Sequence, residues 1–83
     1  MTMSTEYKRF WWHSRRGMLE LDLMLLPFLE NNYASFDAVD IERYRALLEG
    51  EDQDLFSYLV TGLTPPEEHA EMINKIREYA HNR

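Results

Sequence analysis

Arg16, Gly17 and Glu20 are the residues of this 83-residue chain whose types and spacing come nearest to a built site. They set a guanidinium and a carboxylate four positions apart, with a residue that has no side chain between them. The chemistry such a trio can do is recognition. On a continuous helix, residues at i and i+4 share a face, so Arg16 and Glu20 would form a paired, exposed ionic patch beside a bare strip of backbone. A glycine inside a helix costs roughly 1 kcal/mol relative to alanine, so Gly17 calls for a reason. A junction between two helices, a close approach of another backbone, or simple tolerance would each supply one. An ordinary surface ion pair next to a turn glycine fits the pattern as well. Arg9, Arg15 and Asp22 add charge on either side. Trp11 and Trp12 are adjacent, so on a helix they point about 100° apart and cannot both face a core. One is expected inside and the other exposed near Arg9, Arg15 and Arg16, a mixture of residue types enriched at binding hot spots.

Bond-making chemistry has much weaker candidates. Cysteine is absent, which removes disulfides, thiolate catalysis and cysteine-ligated metals together. His13, His69 and His81 are far apart and form no ligand spacing, and His69 beside Glu68 and Glu71 reads as a solvated helix start. Asp52 and Asp54 read as helix caps favoured by the positive helix N-terminus. Gly17, Gly50 and Gly62 are isolated, so no glycine-rich loop is available to cradle a phosphate or a flavin. The expectation is a protein that is not an enzyme, with no catalytic residue, no metal site and no cofactor of its own.

Charge narrows the class of partner. The net charge of −6 is unevenly spread: residues 1–16 carry four basic and one acidic side chain, residues 17–56 two basic and ten acidic, and residues 57–83 three basic and four acidic. A nucleic-acid binder needs a basic face that neutralises several phosphates, and a strongly acidic middle argues against one. A protein partner with complementary patches suits this dipolar surface better. The acidic residues of the middle, such as Asp37, Asp40, Glu42 and Glu49, read mainly as caps and solvated faces. The apolar run Leu23 to Leu29 is far short of the ~18–20 residues that span a bilayer, and it contains Pro27. Met1 to Thr5 lack the apolar core of a signal peptide, and no Arg- and Ser-rich leader is present. A monomeric cytoplasmic protein without membrane insertion is expected.

The elements that must position these residues read as helices. Thr5 is expected to cap a first helix running to His13, with Tyr7, Phe10 and Trp11 on one side. Ser14 to Gly17 makes a corner. A second helix spans about Met18 to Tyr33, apolar nearly all round as befits the centre of a bundle, and kinked or split before Pro27. Asp37 caps a third helix striped by Ile41, Tyr44, Leu47 and Leu48 and closed by Gly50. Asp52 caps a fourth with Leu55, Phe56, Leu59 and Val60 inward and Gly62 beyond its end. Thr64-Pro65-Pro66-Glu67 starts a fifth, with a capping threonine and a proline in the first turn, and Met72, Ile73, Ile76 and Tyr79 as its apolar face. The whole, residues 1–83, is an all-α, compact five-helix bundle of one domain, small enough that only about 60–65% of the unfolded surface can be buried. Leu23, Leu26, Tyr44, Leu47, Phe56, Leu59 and Ile73 are predicted to be core.

The ordered set of motifs also resembles a known family. Arg16-Gly17-Met18-Leu19-Glu20 gives R-G-x-x-E, after Tyr7, Lys8, Arg9, Phe10, Trp11 and Trp12 and before Leu21-Asp22-Leu23-Met24-Leu25-Leu26-Pro27-Phe28. With Leu47-Leu48-Glu49, Asp52-Gln53-Asp54-Leu55-Phe56, Ile73 and Ile76-Arg77, this is similar to the succinate dehydrogenase assembly factors. These small proteins promote covalent attachment of FAD to the flavoprotein subunit. The resemblance implies a chaperone for the flavoprotein of succinate dehydrogenase or of fumarate reductase, in which the partner performs the chemistry. It implies that Arg16 and Glu20 orient the partner, Gly17 permits close approach, and Arg9, Arg15 and Asp22 extend the contact. Direct FAD binding has been proposed in the family, but no flavin-sized site is visible in these residues. Two other readings stay open: an antitoxin role carried by some bacterial relatives, and a generic adaptor bundle in which the motif is only a helix corner.

Overall fold

The structure, a computed structural model, describes residues 4–82; the ends of the expected 1–83 domain, and most of the Met1 to Thr5 stretch, lie outside them. Five α-helices and one short 3-10 turn account for the regular structure of the described residues: α1 (Thr5–Ser14), α2 (Leu19–Asn32), the turn Tyr33–Ser35, α3 (Ala38–Leu48), α4 (Asp52–Leu59) and α5 (Glu67–Asn82). α2 packs against α1, α4 and α5, and α3 is held between α1 and α5, so the expected bundle with a central second helix is what forms.

The caps explain the boundaries. Ser4, not Thr5, caps α1, its hydroxyl accepting from the Tyr7 N–H at 3.0 Å. Asp37 and Asp40 form a capping box on α3, each carboxylate accepting from the other's N–H, at 2.8 Å to Asp40 N and 3.3 Å to Asp37 N. Asp40 also accepts from Lys75 Nζ at 2.8 Å, which ties α3 to α5 and holds its carboxyl below the usual carboxylate range. Two further expected caps are not realised. Glu51 is the N-cap of α4 and makes no capping bond, and Asp52 is already inside the helix with its carboxylate turned elsewhere. α5 begins at Glu67, one residue after Pro66, whose carbonyl accepts from His69 N at 2.9 Å; Thr64 is too far upstream to cap it.

α2 continues through Pro27 without a split. Pro27 and Leu23 lie on its outer side, where the carbonyl that loses its amide partner is nearest to water, so the missing bond is cheaper there than on the core side. Asn31 and Asn32 close the helix by donating to the carbonyls of Pro27 and Phe28, both at 2.8 Å.

The core centres on Tyr44, which has no exposed surface, with the rings of Phe10, Phe28 and Phe36 at centroid distances of 5.2, 6.2 and 5.8 Å. Its hydroxyl meets Ser14 Oγ at 2.5 Å, and burial pushes the phenol well above its ordinary pKa. Leu47, Leu59 and Ile73 are buried as expected, whereas Leu26 and Phe56 are only half-buried and Leu23 is 53% exposed. Val60, expected inward, also faces out. A helix that is apolar nearly all round gives no period from which to tell its solvent side.

Candidate functional site

The corner between α1 and α2 is where the candidate residues gather. α1 ends at Ser14, buried against Tyr44, and the chain then runs through Arg15 (φ −85°, ψ 93°), Arg16 and Gly17 to Met18 (φ −105°, ψ 119°), the N-cap of α2. Gly17 has φ +83°, in the left-handed region that residues with a Cβ adopt only with strain. A Cβ built on it meets nothing within 4 Å. Glycine is therefore required by backbone conformation and not by crowding inside the protein, and the bare edge it leaves is exposed to solvent.

Arg16 stands behind that edge, its side chain only 14% exposed. Nε donates to Asp52 Oδ1 at 2.8 Å, Nη1 to the carbonyls of His13 and Leu48 at 2.9 and 3.0 Å, and Nη2 to the Gly50 carbonyl at 2.5 Å. Its backbone N–H donates to Asp22 Oδ1 at 2.8 Å. One side chain thus ties the end of α1 to the α3–α4 turn and the start of α4, while Asp22 braces the corner from α2. The position suits a cation, because the last carbonyls of α3 carry the negative end of that helix's dipole.

The Arg16–Glu20 pair that a continuous helix would allow does not form. The positive φ at Gly17 ends any helix between them, so the i, i+4 geometry is lost, and Glu20 sits exposed in the first turn of α2 with no hydrogen-bond or ion-pair partner among the described residues. Arg15 is exposed with its guanidinium 6.0 Å from the Trp12 ring centroid. Trp12 is 62% exposed and Trp11 packs against the core, the division expected of the adjacent pair. Arg9 is exposed on α1 and lines a cleft with Glu6, His13, Arg16, Arg45 and Glu49. The structure thus brings Arg16, Gly17 and Asp22 together, leaves Glu20 and Arg15 free at the surface, and sets Arg9 along α1.

The part that Asp52 plays here, as the partner of Arg16, is what sequence reasoning missed. A carboxylate at the start of a helix reads as a cap, and its partner lies 36 positions upstream, where no local spacing relates the two. His69 also differs from expectation: its side chain is 16% exposed and Nδ1 has no partner among the described residues. No group of three or more His, Asp or Glu among the described residues is placed to hold a metal ion.

The family model described as "Flavinator of succinate dehydrogenase" matches residues 8–80. A protein of Pseudomonas aeruginosa named "FAD assembly factor SdhE" is 55% identical over 60 residues, covering 72% of this chain and 71% of that protein. Proteins of the same name are 43% identical in Francisella tularensis, over 76% of this chain and 66% of theirs, and 37% identical in Vibrio vulnificus, over 99% and 94%. No solved structure matches.

Proposed function

The chain belongs to the family of the flavinator of succinate dehydrogenase, and we infer from this that it is an assembly factor that promotes attachment of FAD to that enzyme. We propose that it does so by docking on the flavoprotein subunit through the Gly17 corner. What supports this is the build of the corner: an exposed strip of backbone in a fixed left-handed turn, with a free carboxylate three residues on. Gly17 lets the partner's main chain come close, Glu20 supplies an unneutralised carboxylate for a cation of the partner, and Arg9 and Arg15 extend the contact with positive charge. Arg16 and Asp22 hold the corner.

On this proposal the small protein contributes no reacting atom and no cofactor of its own. The covalent chemistry belongs to the flavoprotein, and docking favours the conformation in which its histidine and the FAD ring are aligned. A ligand shifts such an equilibrium by its differential affinity for the two conformations, and alignment of reacting groups is worth several kcal/mol of barrier, up to about 7–11 in favourable cases. The protein acts as a monomer, the flavoprotein of fumarate reductase is a second client, and the meeting takes place in the cytoplasm. No helix of the described residues is long and apolar enough to cross a membrane. The test is deletion of the gene followed by measurement of flavin fluorescence on the denatured flavoprotein subunit: covalent flavin should fall sharply and return on complementation. Unchanged covalent flavin refutes the assignment.

A further inference from the structure

Four of the five N–H donors of the Arg16 guanidinium are used inside the protein, on Asp52 and on three main-chain carbonyls. A fork spent in this way cannot also grip a carboxylate of another molecule without breaking those bonds. Asp22 is engaged from the α2 side, its Oδ1 accepting the Arg16 N–H. We propose that Arg16, Asp52 and Asp22 are positioning residues for flavinylation: they hold the Gly17 edge in the shape the flavoprotein meets, and none of the three touches it. The proposal deepens the docking reading above and rests on it.

The mechanics follow from the link itself. Arg15 to Met18 is a short non-helical stretch with an exposed glycine in its middle. Its backbone is anchored by Asp22 on one side of Gly17, and through the Arg16 side chain it is anchored to the α3–α4 turn. Removing the Asp52 carboxylate leaves the guanidinium on neutral carbonyls alone, and removing Asp22 frees the Arg16 amide. In either case the corner spends part of its time in other conformations. The affinity of a partner that needs one conformation falls by the fraction of time that conformation is present, so a corner correctly shaped one-tenth of the time binds about tenfold more weakly.

The experiment uses the full chain and the purified flavoprotein subunit, at a low temperature where circular dichroism shows every variant folded. The Arg16 Nε–H resonance is followed in the free protein and in the complex, and affinities are measured for the wild type, Asp52→Ala, Asp52→Glu and Asp22→Ala. The Nε–H signal is expected to be slowly exchanging and to keep its shift in the complex. Asp52→Ala and Asp22→Ala are expected to bind about tenfold more weakly, with Asp52→Glu recovering most of the loss. A signal that moves strongly or loses protection on binding makes Arg16 a direct contact and overturns the proposal, as does Asp52→Ala binding like the wild type. Failure of the docking reading looks different: the wild type itself does not bind while its free Arg16 signal stays protected.

Discussion

Replacing Gly17 separates the two properties of the corner, its left-handed backbone and its bareness. At φ +83° an alanine pays about 1 kcal/mol or more in strain, and because a Cβ meets nothing within 4 Å no steric penalty is added. For a domain of this size that amounts to a drop in Tm of about 4–8 °C. Asparagine tolerates the left-handed region better than other non-glycine residues, so Gly17→Asn should lose less than Gly17→Ala, and Gly17→Arg should resemble alanine. Binding should follow a different order. If the partner's main chain meets this edge through about two hydrogen bonds worth ~1 kcal/mol each, any side chain that holds the two backbones apart costs roughly thirtyfold in affinity. Gly17→Asn should then be nearly as damaging as Gly17→Arg although it is the more stable protein. Thermal melts alongside calorimetric titration of the flavoprotein would read both orders. Wild-type affinity for Gly17→Asn would show that only conformation matters, and wild-type affinity for Gly17→Arg would remove the corner from the docking surface.

Three further outcomes are expected. Glu20→Ala, at an exposed position with no partner among the described residues, should change stability by less than about 0.5 kcal/mol yet abolish covalent flavin in a complementation assay, and a normal flavin level there would exclude Glu20 from docking. Tyr44→Phe should destabilise by about 1–3 kcal/mol in urea denaturation because it strips the buried Ser14 hydroxyl of its partner, and Ser14→Ala combined with it should cost clearly less than the two single changes added together. Asp40 has its folded pKa lowered, chiefly by the hydrogen bond from Lys75, so its contribution is present above the unfolded value of about 4 and is lost as pH falls through the folded one. Asp40→Asn should therefore be less stable than the wild type at pH 7, with a gap that closes in acid; a gap constant with pH would refute the ionic origin.

The helices and most of the core were legible because their signals are local. Tyr44, Leu47, Ile73 and Ile76 recur at helical spacing, Asp37 stands where a cap must stand, and Gly17 interrupts a run of helix formers. The Arg16–Glu20 pair failed for a reason contained in that last observation: a glycine that makes a corner breaks the helix on which i, i+4 pairing depends, so the corner and the pair are mutually exclusive. Leu23 was misjudged because α2 has apolar residues on every side, and the two faces then differ only in what the rest of the chain covers. The pairing of Asp52 with Arg16 could not be found at all, since two charges 36 positions apart are related only by the fold.

On the docking proposal the three residues of the motif do three different physical jobs, and the division would explain why they sit together. An exposed strip of backbone is a poor binding surface if it is loose, because each residue that must be ordered on binding costs about 1–2 kcal/mol. Gly17 alone would make that problem worse, being the residue with the most conformations to lose. Arg16, next to it in the chain, is long enough to reach the α3–α4 turn and has enough donors to hold three elements at once, so the ordering is done during folding, before any partner arrives. Glu20 lies on the first turn of α2, beyond the break, and so is fixed by the helix while keeping its carboxylate in water. Lysine at position 16 would keep the charge but lose the planar fork, and its three rotatable donors would leave the turn more loosely held. A requirement for arginine there therefore follows from its geometry, even though its charge is neutralised by Asp52 inside the protein.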